Sequence, residues 1–242
     1  MRLMGFVLSL MVVSTLAASS AFAQSPTAEK FYQEGVDLAR SKKMELALDK
    51  FQQAVAFEPG VYKYHLNLAY AYDELNRLPE ALASYDTAMK LGKGAIQAVK
   101  GHAEISRRLH IYDMAEKSYR DALKKDKEDV NLYTGLGAAL AGQGKQEEGL
   151  AEFQKATKKF PKEAQPPFKA ANILRKKGDL DGAINYYKMA LTRDPDFAKA
   201  EFGLGLVQKE KGDFEAAKVS FEGSCKKGNK AACRAYWKIK DR

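Results

Sequence analysis

The sequence has two cysteines, one tryptophan and three histidines in 242 residues, and each scarcity removes a class of chemistry. Cys225 and Cys233 stand eight positions apart, so no CxxC redox motif is written. Two sulfurs without a neighbouring histidine also make a poor metal site. His65, His102 and His110 have no converging spacing. The first two fall at helix-packing positions and the third in a turn, whereas a metal needs several ligands brought to one point. The glycine-rich stretch GLGAALAGQG at 135–144 lacks a closing Lys-Ser/Thr pair and a preceding strand, so it is not a phosphate loop. Acidic pairs such as Glu147 and Glu148 lie at helix starts, where they complement the helix dipole. No catalytic residue, cofactor or metal is expected, and the chain is read as a non-enzyme.

Long hydrophobic runs are equally scarce. The one that occurs is N-terminal, MRLMGFVLSLMVVSTLAASSAFAQ. Arg2 precedes a run from Leu3 to Leu16 that is apolar apart from Gly5, Ser9, Ser14 and Thr15, and Ala21-Phe22-Ala23 is a small-x-small cleavage site. The run is shorter than the ~20 residues a membrane span needs, and no stop-transfer charges follow. Residues 1–23 are therefore expected to be a signal peptide, cleaved after Ala23 to leave Gln24 first. No cysteine follows for a lipid anchor, and no later segment is apolar enough to span a membrane. A periplasmic or secreted protein is expected, with no integral membrane segment after cleavage.

The chain has 40 Lys+Arg against 31 Asp+Glu, a net charge of +9. The two signs are interspersed, as on solvated helix faces, and no clustered basic reading motif occurs. Nucleic acid is not an expected partner. Attraction to anionic envelope components stays open.

What is present is a period. Steps of 34 residues from Ala28 give blocks 28–61, 62–95, 96–129, 130–163, 164–197 and 198–231 without a gap. The eighth residue of each block is small: Gly35, Ala69, Ala103, Gly137, Ala171 and Gly205. Only a small side chain there lets two helices approach closely. The twentieth is Ala47, Ala81, Ala115, Gly149, Ala183 and Ala217, and the twenty-fourth is always a ring: Phe51, Tyr85, Tyr119, Phe153, Tyr187 and Phe221. The twenty-seventh is Ala54, Ala88, Ala122, Ala156, Ala190 and Ser224, and Pro59, Pro161 and Pro195 fill position 32 in three blocks. Within a block both halves have helical periodicity. His65, Leu68, Ala69 and Tyr72 share one face, as do Ala81, Tyr85 and Ala88. Pro79 suits a first helical turn, and Gly178 and Gly212 suit C-caps between the halves. Two departures stand out. Pro166 and Pro167 predict a late start for the fifth block's first helix, and Ser106 takes a normally apolar place, predicting a looser joint there.

These columns resemble the tetratricopeptide repeat family over the whole mature chain except its two short ends. The resemblance implies an all-α fold: an αα-hairpin solenoid, a right-handed superhelix of six units over 24–231, with residues 232–242 as a capping helix and basic tail. It also implies a concave groove lined by the first helix of each block. On that register the partner-binding groove comprises Tyr32, Val36, Lys63, Asn67, Tyr70, Lys100, Thr134, Phe168, Lys169, Asn172, Lys199, Phe202 and Leu206. Tyr32, Tyr70, Phe168 and Phe202 are not required for hairpin packing on this register, and aromatic anchors beside Arg and Asn suit peptide recognition. The alternative is that the superhelix buries them. Some relatives hold the acidic C-terminus of heat-shock chaperones through fixed Lys, Asn and Arg positions. In blocks one to three only Asn67 matches that pattern, and blocks three to five fail it too.

The resemblance thus points to a non-catalytic protein-interaction scaffold or adaptor of the bacterial cell envelope, holding a peptide or protein segment. The alternative is an assembly or accessory subunit of a pilus, secretion or polysaccharide-export machine, within an envelope complex. The two cysteines then read as a staple. On one helix they would lie about 12 Å apart, too far for a bridge, but Gly228-Asn229 can fold a last helix, with Cys233, Tyr236, Trp237 and Ile239 on its apolar side, back onto Cys225. An exported chain favours the disulfide, and the arrangement is similar to cysteine-rich αα-hairpin relatives with the same spacing.

Overall fold

Helix starts recur every 34 residues. In the computed structural model, which describes residues 26–240, the helices are α1 (Pro26–Arg40), α2 (Met44–Phe57), α3 (Tyr62–Glu74), α4 (Leu78–Leu91), α5 (Ile96–Arg108), α6 (Tyr112–Lys125), α7 (Val130–Gly142), α8 (Gln146–Lys159), α9 (Gln165–Lys176), α10 (Leu180–Arg193), α11 (Ala198–Glu210), α12 (Phe214–Lys226) and α13 (Lys230–Ile239). Every even-numbered start from α2 to α12 obeys the spacing. Among the odd ones α1 begins two residues ahead of its block start and α9 one behind, with Pro166 and Pro167 in the first turn of α9, both buried. The described residues contain no strand. The leader reading of residues 1–23 and the start at Gln24 lie outside the described residues.

Each turn from an odd helix to the next even one passes through a single left-handed residue at the fifteenth block position. These are Lys42, Asn76, His110, Gly144, Gly178 and Gly212, with φ from 56° to 86°. The following N–H closes onto the carbonyl five residues back, as from Asp179 to Leu174 (3.0 Å) and from Asp213 to Gln208 (2.9 Å). This is the Schellman closure that satisfies carbonyls orphaned at a helix end. Only half of the six positions use glycine, so the sequence marks only half of these turns.

The six rings of the twenty-fourth column are all buried, each contributing roughly 1.5–3 kcal/mol of burial. They lean in two directions, and their small neighbours follow. Phe51, Phe153 and Phe221 lean onto the odd helix of their own hairpin. There a Cβ added to Gly35, Gly137 or Gly205 would fall within 2.6, 2.8 or 2.7 Å of the ring. Tyr85, Tyr119 and Tyr187 lean toward the next odd helix, where a Cβ on Gly101, Gly135 or Gly203 would fall within 2.3, 2.3 or 2.5 Å. A tyrosine hairpin has alanine at its own eighth position, and a phenylalanine hairpin is followed by Asn67 or Lys169 where the others have glycine. The eighth column therefore does more than let helices approach: its choice of glycine or alanine tracks the direction in which the ring leans.

The histidines separate. His102 is buried between α5 and α6, with Nδ1 2.9 Å from Ser118 Oγ. Ser106, where a looser joint was expected, is fully buried, and its hydroxyl donates to His102 O at 2.7 Å. Its polar atom is thus satisfied within its own helix. His65 is only half-buried, with Nε2 2.9 Å from Pro59 O, and its neighbour Tyr64 takes the fully buried place. The face of α3 is therefore rotated slightly from the one expected. His110 occupies the left-handed turn.

At the C-terminal end Gly228 (φ 87°) ends α12, and Asn229 Oδ1 caps α13 by accepting from the N–H groups of Ala231 and Ala232. Cys225 and Cys233 are brought to disulfide geometry, with Cα atoms 4.7 Å apart. Ala232 and Ile239 of α13 are buried, whereas Trp237 is 63% exposed, with Lys240 Nζ 4.4 Å from its ring centroid. Trp237, expected on the packing side of the last helix, belongs to its outer side.

Candidate functional site

Which helices touch defines the concave side. Each odd helix from α1 to α9 contacts the next odd helix, and no pair of even helices does so comparably. The odd helices crowd the inner side while the even ones splay around the outside. All thirteen residues of the expected groove lie on odd helices, from Tyr32 and Val36 of α1 to Lys199, Phe202 and Leu206 of α11.

Their environments differ along the groove. Tyr70 is 45% exposed. Tyr32, Phe168 and Phe202, expected to be free of hairpin packing, are half-buried instead. Tyr32 lies 5.2 Å from the Tyr64 ring and 6.1 Å from Phe51, Phe168 lies 4.8 Å from Phe197 and 6.1 Å from Tyr187, and Phe202 lies 5.7 Å from Phe221. The fifth-position ring of a block packs on its twenty-fourth-position ring, so these three stabilise the core as well as lining the inner face. Val36 and Leu206 are half-buried on the same side.

At the α1–α3 end the polar groups satisfy one another. Lys63 pairs with Glu29 at 2.8 Å and lies 4.9 Å from the Tyr32 ring centroid, and Asn67 donates to Lys63 O and to Tyr32 Oη. Hydrogen bonds from Lys63 and Gln33 hold the Glu29 carboxyl below its usual range.

The middle of the inner face is open. The inner positions of α7 are small, Thr134, Gly135 and Ala138 among them. On one side lies a cleft of about 420 Å³ lined by Lys100, Glu104 and Arg107 of α5, Tyr119, and Lys169 across from them. On the other lies a cleft of about 390 Å³ lined by Phe153, Lys169, Asn172 and Arg175. Lys169 belongs to both. Lys100, Thr134, Lys169 and Asn172 are thus brought together, while Tyr32, Val36, Lys63, Asn67, Tyr70, Phe168, Lys199, Phe202 and Leu206 line neither cleft.

Glu104 stands at an inner register position of α5, whereas Tyr119, on the even helix α6, is the cleft-lining ring that the register does not announce. Tyr119 Oη donates to Glu104 Oε2 at 2.7 Å, and Tyr187 Oη donates to Asn172 Oδ1 at 2.7 Å. Both hydroxyls reach the inner face past the glycine of the next odd helix. Burial pushes Glu104 up, but the hydrogen bonds from Arg107 and Tyr119 outweigh it and hold the carboxyl below the usual range. Burial and the Glu104 charge raise the Tyr119 phenol. The available signal was the coincidence of tyrosine at position 24 with glycine at position six of the following block.

From α5 to α11 the inner positions carry Lys100, Arg107 and Arg108, then Lys169, Arg175 and Lys176, then Lys199 and Lys209, against only Glu104 and Glu210. Several cations are matched by carboxylates. Lys100 bridges Asp126 and Asp129 at 2.7 Å each, and those bonds raise its ammonium. Arg108 pairs with Asp73, and Arg175 with Glu210. Lys169 and Lys199 have no ion pair among the described residues, and both are exposed. Crowding by the walls of the concavity, then the like charges of Arg107 and Lys199, push the Lys169 ammonium below the usual lysine range.

No group of three or more His, Cys, Asp or Glu among the described residues is placed to hold a metal ion. No helix of those residues is long and apolar enough to cross a membrane.

Two family models match the chain. Residues 32–96 and 106–164 match the tetratricopeptide repeat, and 171–212 match the TPR repeat. Among curated proteins, the chain is 25% identical over 183 residues to the DnaJ homolog subfamily C member 7 homolog of Schizosaccharomyces pombe, covering 74% of this chain and 35% of that one. It is 26% identical over 155 residues to the human protein O-mannosyl-transferase TMTC1, covering 62% and 18%. The chain therefore spans about a third or less of these relatives. Among solved structures, MamA from Desulfovibrio magneticus superposes with a TM-score of 0.69 at 18% identity, covering 72% of this chain and 99% of that one. PilF of Pseudomonas aeruginosa superposes at 0.69 with 15% identity, covering 89% and 97%. YrrB, described as a TPR protein with an unusual peptide-binding site, superposes at 0.58 with 23% identity, covering 78% and 98%. These likenesses are of fold. With its helices in consecutive hairpins and its sequence matched over most of its length, the chain belongs to the tetratricopeptide repeat family, an architecture for protein interaction.

Proposed function

We propose that the chain is a non-catalytic scaffold of the bacterial cell envelope, working as one six-repeat solenoid that holds a protein segment in its concave groove. The observation that carries this is the pair of clefts on either side of α7, where small inner side chains leave room between the polar walls of α5 and α9. A partner in an extended or helical conformation would find backbone room at α7 and side-chain contacts from Tyr70 to Leu206. The envelope part of the reading rests on the sequence of residues 1–23. N-terminal sequencing of the protein from a periplasmic fraction should begin at Gln24, and a chain still starting at Met1 would remove it.

The groove reading is tested by placing a photoreactive benzoylphenylalanine at Thr134 and, separately, at Val219 on the outer helix α12, where the side chain is 71% exposed. Partner adducts are expected from position 134. Adducts from 219 alone would overturn the groove as the binding face. The second reading, an assembly or accessory subunit of a pilus, secretion or polysaccharide-export machine, rests on the same expected export and repeat architecture. It predicts that the adduct at 134 joins a component of an outer-membrane assembly rather than a soluble client.

A further inference from the structure

The inner face has a charge gradient that its own side chains do not cancel. At the α1–α3 end Lys63 is answered by Glu29, and Arg108 reaches back to Asp73. Toward α9 and α11 the matching is incomplete: Arg175 pairs with Glu210, but the lysines beside it are left unmatched. Lys169 and Lys199 stand on consecutive odd helices with no ion pair among the described residues. The carboxylate whose charge bears on Lys169 is Glu104, already held by Arg107 and Tyr119. Like charges at short range in a concavity, where solvent is partly displaced, repel more strongly than on an open surface. An anion placed between them gains both attraction and relief of that repulsion.

We propose that the groove recognises an acidic protein segment, with a carboxylate of the partner seated beside Lys169, between Arg107 on one side and Lys199 on the other. This rests on the groove reading above and names the chemistry of its partner. The cleft that Lys169 shares with Arg107 has Thr134, Gly135 and Ala138 as its floor, so a backbone can lie close against α7 while its carboxylate turns toward Lys169. A segment with acidic residues set apart by apolar or aromatic ones fits best, because the half-buried faces of Phe168 and Phe202 lie on the same two helices as Lys169 and Lys199. Cations at single positions, one helix apart, suit discrete carboxylates rather than the continuous track of a nucleic-acid backbone.

The test uses two fluorescein-labelled decapeptides, one alternating Glu with Tyr and Leu, the other with Gln for every Glu. Fluorescence anisotropy at 150 mM salt should give a Kd at least tenfold lower for the Glu peptide. Lys169→Glu with Lys199→Glu should weaken the Glu peptide at least tenfold and leave the Gln peptide unchanged. Lys124→Glu with Lys158→Glu, on the exposed last turns of α6 and α8, should leave both unchanged. Circular dichroism of each variant should match the parent, since all four lysines are exposed. Equal binding of the two peptides, both lost on Thr134→Arg, would overturn the acidic preference while leaving the groove reading standing. Equal loss from the α6/α8 variant would reduce the effect to general charge attraction and overturn the proposal. Absence of binding by either peptide would overturn it too. So would a single-stranded oligonucleotide of equal charge binding as tightly through the same lysines.

Discussion

A Cβ on Gly135 would fall 2.3 Å from Cζ of Tyr119. The ring of one hairpin therefore dictates a residue on the next, and its hydroxyl then reaches Glu104 on the inner face. Gly135→Ala should cost about 1–3 kcal/mol, the usual penalty for overpacking, despite alanine's better helix propensity. The phenylalanine hairpins show the compensated arrangement, with glycine at their own eighth position. Combining Gly135→Ala with Tyr119→Phe and Ala103→Gly should therefore recover at least about 1 kcal/mol relative to the sum of the three single changes. Urea titrations followed at 222 nm would measure this, and strict additivity would contradict the coupling.

The six hairpin turns share one left-handed position, but only three fill it with glycine. Lys42 takes φ 58° there with an exposed side chain. Lys42→Gly should stabilise by roughly 0.5–1 kcal/mol, because left-handed backbone costs a residue with a Cβ more than glycine's extra chain entropy does. Gly178→Ala should destabilise by a similar amount. Thermal melts of the two variants should shift in opposite directions.

His102 links stability to pH. Burial lowers its pKa from the usual 6.5, with Asp86 opposing weakly. The folded state therefore resists a proton that the unfolded chain accepts. Stability is unaffected well above pH 6.5 and falls as pH drops below it, down toward the lowered folded-state pKa. The melting temperature should decline between pH 7 and pH 5.5, before the carboxylates titrate, and His102→Gln should flatten that decline. A slope unchanged by the substitution would show that another group carries it.

The Cys225–Cys233 link closes a short loop, worth about 2.5 kcal/mol in the chain-entropy account. Reduction should loosen α13 and expose Lys226, Lys227 and Lys230 to trypsin while the helices before it persist. An Ellman assay on the non-reduced protein should find no free thiol. Two titratable thiols would contradict the staple.

How much of this could be read from the sequence depended on the kind of residue. The hairpins and their starts were legible because alanine and ring columns recur without a gap, and Pro166 and Pro167 marked the late start of α9. Gly178 and Gly212 announced their turns and the register put His110 in one, but the left-handed backbone at Lys42 and His110 was not legible, since nothing in those side chains demands positive φ. The inner face was legible as a register, yet the burial of Tyr32, Phe168 and Phe202 was not. A ring at position five is covered by the ring at position 24 of its own block, whichever way that ring leans, and by a further ring, Tyr64 for Tyr32 and Phe197 for Phe168. The place of Tyr119 in the groove needed two columns to be read together, and the isolation of Lys169 needed the ion pairs of its neighbours.

The central claim is that the odd-helix face holds the partner, and blocking its floor tests it most directly. Thr134→Arg fills the depression between α5 and α9, and Val219→Arg adds the same charge and bulk to the outer face. Isothermal titration of both variants, using a dodecamer selected on the parent protein from a random peptide library, should give a Kd at least tenfold higher for Thr134→Arg and an unchanged Kd for Val219→Arg. An unchanged Kd for Thr134→Arg, with loss on Val219→Arg, would place binding on the outer helices and contradict the account.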